Sequence, residues 1–210
     1  MIRSVRPLLL AAAVAVAVAA CGGSSDSTRT GYPTINFVGN ASCPTDGANP
    51  YSPMPPNVNS LPPVGVAVDE MPHNHVASGT TVNYNHNPPT SGCHYNLGYG
   101  TAPIQSGAYN QVIRPEYWVH NLEHGYIAVL YNCPTGCDAQ FQQLRTWYHG
   151  LSPEPNLAYP KVIIIPFPTM TVSFAAVSWD WYDPIPLFSM NEIQRFYNNH
   201  RGQGQEVAGP

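Results

Sequence analysis

The chain has 210 residues and a formal net charge of −4, with only 10% charged residues against 23 prolines and 13 tyrosines. It carries no basic run that would neutralise phosphates, which excludes nucleic acid as a partner. Few charges, many prolines and 43% apolar residues describe a loop-rich domain that still has enough apolar surface to fold.

In chain order, the first predicted element is an export signal. Arg3 and Arg6 precede LLLAAAVAVAVAA, which leads into Cys21. A basic start, a short apolar run and small residues before a cut mark a segment removed on export rather than a membrane span. The cysteine at the cut matches a bacterial lipoprotein signal, with Cys21 as the acylated first residue and GGSSDSTRTG as a flexible tether. Gly22, in place of an acidic residue, leans towards the outer membrane. The expected layout is a signal over 1–20, a lipidated tether and irregular Pro/Gly-rich segment over 21–60, one histidine-rich domain over 61–206 and a tail at 207–210. The expected location is the bacterial cell envelope, on its periplasmic or surface face.

Beyond Cys21 the chain holds Cys43, Cys93, Cys133 and Cys137. Four thiols in an oxidising compartment predict two disulfides. CPTGC is a turn sequence that brings its ends together, so Cys133–Cys137 with Cys43–Cys93 is the simplest of the three pairings. A copper-binding Cys-x-x-x-Cys pair is the sharper reading, but no strand–helix context surrounds it.

TVNYN (81–85) alternates and is a strand candidate. YIAVLY (126–131), KVIIIPF (161–167) and TVSFAAVSW (171–179) are strongly β-forming. DAQFQQLRTWYHGL (138–151) places Phe141, Leu144, Tyr148 and Leu151 at helical spacing, with Asp138 as N-cap. SMNEIQRFYNNHRG (189–202) opens with a Ser189/Glu192 capping box, buries Ile193, Phe196 and Tyr197, and closes at Gly202. Together they predict an α+β domain: a mainly antiparallel sheet with two packed helices, wrapped by the Pro-rich N-terminal segment.

Six of the eight histidines fall between positions 73 and 124, in the pairs His73/His75, His86/His94 and His120/His124. Neutral imidazole suits Zn, Cu, Fe and Ni. Three segments broken by Pro or Gly read as loops meeting at one rim. His73 and His75, if extended, point to one side about 7 Å apart. His75 is preferred over His73, and His86, among asparagines, reads as solvated. His149 and His200 read as ordinary residues at helix C-termini.

The segment WVHNLEHG contains H-x-x-E-H, the letters of one class of zinc peptidase. On a helix His120 and His124 would lie about 6 Å apart on one face; on a strand they would lie about 13 Å apart. A shared ion therefore requires a turn or tight bend from Val119 to His124. Gly125 and the strand pattern YIAVLY argue against a long helix, and so against a peptidase. Glu123 is expected to orient a histidine, or to act as general base if the protein is an enzyme. A Cys93–His94 nucleophile fails, because adjacent residues of an extended segment face opposite ways.

The runs VNYNHNPPTSGCH, VHNLEHGYIAVLY, VIIIPFP and IQRFYNNHRGQGQE resemble an uncharacterised bacterial family of exported or membrane-anchored proteins, known only as a domain of unknown function. The resemblance covers roughly residues 70–206 and rests on PPTSG-x-H with H-N-L-E-H-G. It implies no activity, but adds weight to His75, His94, His120 and His124 and lowers His73 and His86. Cys93 and the Cys133/Cys137 pair depart from the family pattern.

The expected function is a lipid-anchored, extracytoplasmic metal-binding protein that stores, delivers or senses an ion. The ligands are His75, His94, His120 and His124, with Met170 as a thioether. Scarce acidic residues disfavour Ca and Mg. Copper is favoured over zinc on affinity and on the thioether. The alternatives are a metalloenzyme with an open coordination position and Glu123 as base, or a structural envelope-interaction module. Expected partners are the metal ion, the membrane through the lipid on Cys21, and an envelope protein.

Overall fold

The computed structural model describes Cys43 and residues 64–210, so the export signal, Cys21 and the tether lie outside the described residues. In chain order the elements are β1 (Val66–Ala67), β2 (Gly107–Ala108), α1 (Pro115–Glu123), β3 (Ile127–Tyr131), α2 (Asp138–Gly150), β4 (Val162–Pro166), β5 (Phe174–Ser178), β6 (Trp181–Ile185) and α3 (Met190–His200). The strands form one sheet in the order β1-β6-β5-β3-β4-β2. The pairs β1–β6, β6–β5 and β5–β3 are antiparallel; β3–β4 and β4–β2 are parallel. The chain is an α+β protein on a mostly antiparallel sheet.

The central strand explains the layering. Every residue of β3 is buried, the mark of a strand covered on both faces. Ile127, Val129 and Tyr131 share one apolar cluster with Leu144 of α2 and Ile193, Phe196 and Tyr197 of α3. Ala128 and Leu130 share the other with Trp118, Val119 and Leu122 of α1. α2 is also the crossover that parallel strands β3 and β4 require. β5 and β6 are joined by the two-residue loop Trp179–Asp180, in which Asp180 takes φ 65°.

Several sequence expectations change. A third helix, α1, covers the face opposite α2 and α3, where no more than a turn or tight bend was expected. Pro115 supplies its first turn, where a missing N–H costs nothing and φ is already helical. Trp118, Val119 and Leu122 are fully buried, each stabilising the fold by about 1.5–3 kcal/mol. Residues 81–85 form no strand: Val82 makes only an isolated bridge, and its N donates to the Glu116 carboxylate at 2.9 Å. The N-cap of α2 is Cys137, with no side-chain cap. Ser189 does cap α3, accepting from Glu192 N at 3.2 Å. Both disulfides, Cys43–Cys93 and Cys133–Cys137, are formed. Among the described residues no helix is long and apolar enough to cross a membrane.

Candidate metal centre

Three stretches of backbone meet at the outer face of α1. An isolated parallel bridge pairs His75 with His94, with Val76 N donating to His94 O at 2.9 Å. The second stretch is then laid on the helix: Tyr95 N donates to Glu116 O at 2.8 Å, and His120 Nδ1 donates to Tyr95 O at 2.8 Å. Asn121 fastens the next loop by accepting from Ile104 N at 3.0 Å and donating to Ile104 O at 2.8 Å. Helical spacing sets His120 and Glu123 on one face of α1.

The result is a convergence of His75, His94, His120 and Glu123, whose ligand atoms all lie within 4.8 Å of one another. Ring centroids are 5.0 Å apart for His75–His94, 5.2 Å for His75–His120 and 4.6 Å for His94–His120. The Nδ1 atoms of His94 and His120 are engaged by the Gly92 and Tyr95 carbonyls at 2.9 and 2.8 Å. That fixes the tautomer in which Nε2 carries the lone pair, the arrangement metal-binding histidines use. His94, His120 and Glu123 are buried, while His75 is exposed at the mouth.

Glu123 is held from both sides. His73 Nδ1 donates to its Oε1 at 2.9 Å, and His94 Nε2 stands 3.0 Å from its Oε2. The second contact lacks hydrogen-bond alignment and leaves His94 Nε2 and Glu123 Oε2 buried and unsatisfied. Burial alone would raise the Glu123 pKa; the imidazoles facing its oxygens more than reverse this and bring it down to about 2. Burial, then the neighbouring His94, depresses His120 to about 4. His75 is lowered for the same two reasons. Three imidazole nitrogens beside an ionised carboxylate form a donor set of the kind zinc and copper accept. Donors bonded to such an ion at about 2.0–2.2 Å stand about 3.4 Å apart in a tetrahedron, so this cluster would contract only modestly around it.

A family model described as Protein of unknown function (DUF3105) matches residues 75–209. The chain belongs to that family. No curated protein and no solved structure matches it.

The matched stretch of this DUF3105 chain holds all four convergent residues and the segment that closes over them. His124 begins where α1 ends and groups instead with Glu123 and Glu206, their ligand atoms again within 4.8 Å. Its ring lies 4.6 Å from that of His120. Met170 packs in the apolar cluster that contains Phe167 and Trp179 and is 4% exposed; packing accounts for it. His86 is taken up elsewhere, its Nδ1 at 2.6 Å from Pro88 O. His200 ends α3 as expected and is fully buried there, Nε2 at 2.8 Å from Val64 O, and burial lowers its pKa. Cys93 is bonded to Cys43 directly before His94.

Sequence reasoning missed two contributors and did not foresee how close Glu123 comes. Its carboxylate lies in the convergence itself, within 4.8 Å of the imidazole nitrogens, a position the spacing His120-x-x-Glu123 signals once Pro115 is read as a helix start. His73 is the group that orients Glu123. Residues 207–210, expected as a tail, lie against the site: Lys161 Nζ donates to the carbonyls of His124, Val207 and Gly209, each at 2.8 Å.

Proposed function

We propose that this DUF3105 protein is an extracytoplasmic metal-binding protein that holds one divalent ion through His75, His94, His120 and Glu123. One observation carries the reading. Two buried polar atoms, His94 Nε2 and Glu123 Oε2, face each other without a hydrogen bond, inside a ring of two further imidazoles. A buried donor or acceptor left unsatisfied costs about 1–3 kcal/mol, which a bound ion would remove. The donors are nitrogen and oxygen. Met170 packs in the apolar cluster and so gives no support for copper(I); copper enters this reading as copper(II), favoured over zinc on affinity alone. An exposed His75 at the mouth supports exchange of the ion with a carrier, hence storage or delivery. The basic, apolar N-terminus ending at Cys21 supports a lipid anchor in the envelope.

The presence of α1 restores a helix under H-x-x-E-H and with it a metalloenzyme reading. Glu123 is then the candidate base, but both its oxygens face imidazoles, which leaves it better placed to bind than to abstract a proton.

Elemental analysis of protein purified from its native envelope tests the binding reading. At least one zinc or copper per chain is expected, and His75→Ala, at an exposed position, is expected to lower affinity by about tenfold or more. Metal-free native protein that also fails to take up zinc or copper(II) would contradict it.

A further inference from the structure

A second ion position adjoins the first. Beyond the four convergent residues, the end of α1 brings His124 onto the same rim, and the segment after α3 returns to meet it. Glu206 N donates to Glu123 O at 2.9 Å, so the two acidic residues are tied through backbone. Lys161 clamps the same segment to α1 by its three carbonyl contacts. His124 is seated as firmly: it is 5% exposed, and its Nδ1 lies 3.0 Å from Pro210 O. A Cβ on Gly209 would overlap its ring, so the segment can cross there only as glycine. The Pro210 carbonyl fixes the Nδ1–H tautomer and leaves the His124 Nε2 lone pair facing Glu206.

The separation of that pair is informative. His124 Nε2 and Glu206 Oε2 are 3.8 Å apart, too far for a hydrogen bond. Two donors sharing one zinc stand about 3.4 Å apart at the tetrahedral angle and wider at larger angles. The spacing fits a pair bridged by an ion as well as it fits a loose ion pair. The third donor is Glu123, whose carboxylate also belongs to the first group and whose Oε2 is buried without a hydrogen-bond partner.

We infer that Glu123 bridges two metal positions, one completed by His75, His94 and His120 and the other by His124 and Glu206. Carboxylate-linked pairs of ions about 3.5–4 Å apart are a known arrangement. Two carboxylates shared between two divalent ions leave a net positive charge, so the pair would take an anionic or water-derived ligand at the open mouth.

This inference rests on the proposed metal function, and stoichiometry separates the two. The full chain and Glu206→Gln are each loaded with zinc, and zinc per chain is read by native mass spectrometry, with affinities from competition with a chromophoric chelator. Two zinc ions are expected for the unaltered protein and one for Glu206→Gln, the weaker affinity falling by about tenfold or more. Glu206 is largely exposed, its side chain 61% accessible, so the variant should fold. One ion in both proteins overturns the second position and leaves the first. Two ions in both overturns the assignment to Glu206. No ion in either overturns both readings.

Discussion

Glu123 lies 1% exposed between His73 and His94, and its charge rather than its size is what the site uses. Glu123→Gln keeps the volume and removes the charge. It should lower the thermal transition of the metal-free protein at neutral pH, because the folded state favours the charged carboxylate, and weaken zinc and copper(II) binding by about tenfold or more, read by competition titration. Unchanged affinity would show that Glu123 is not a donor. Asp183 offers a residue-scale test away from the centre. It is 6% exposed on β6; burial, then the nearby Glu192, raises its pKa from 3.8 to about 6. Between those values the folded protein keeps a proton that the unfolded chain has released. Stability attributable to Asp183 is therefore full below the lower value and is lost as pH rises through the upper one. Asp183→Asn should raise stability at pH 7.5 by about 1–3 kcal/mol and have little effect near pH 4, read by urea unfolding at both pH values.

At the scale of elements, the end of α1 sets the site. Gly125 takes φ +82°, and a Cβ there would stand 2.9 Å from Gly202 Cα. Gly125→Ala should cost about 1–3 kcal/mol from the backbone alone, with more from the contact, read as a lowered melting temperature. An unchanged melting temperature would show that the close approach is dispensable. The elements differ in how plainly they are written. β3, β4 and β5 follow from apolar runs rich in β-branched and aromatic residues, and α3 from its Ser189/Glu192 cap, because those signals are local. α1 was obscured: Tyr117, Trp118 and Val119 favour strands, and Gly125 closes the segment early, so Pro115 alone announces the helix. β6 contains Asp183 and Pro184, which strands avoid, and it exists because the turn at Asp180 folds it onto β5. Residues 81–85 alternate as a strand would, yet Glu116 takes the Val82 N–H, a partner 34 residues away that no local pattern reveals.

At the scale of the molecule, the last residues belong to the centre. Lys161, 5% exposed, joins the start of β4 to the end of α1 and to the 207–209 segment. Lys161→Met keeps a long apolar stem and removes all three donors. Amide exchange at Glu206 and Gly209 should accelerate while β3 and β4 stay protected, read by hydrogen–deuterium exchange. Equal protection throughout would mean the clamp is redundant. The candidate site was legible in part for the same reason of scale. His75, His94 and His120 stand out as histidines in a chain poor in charge. That His124 would turn to Glu206, and that Glu123 would join the imidazoles, depends on the helix and on the returning segment, neither visible in local spacing.

The most direct measurement is X-ray absorption at the zinc edge of protein carrying one equivalent of zinc. The account predicts a coordination sphere of three imidazoles and one carboxylate oxygen at about 2.0–2.2 Å. Sulfur at about 2.3 Å, or a sphere of oxygen atoms without imidazole, would contradict it.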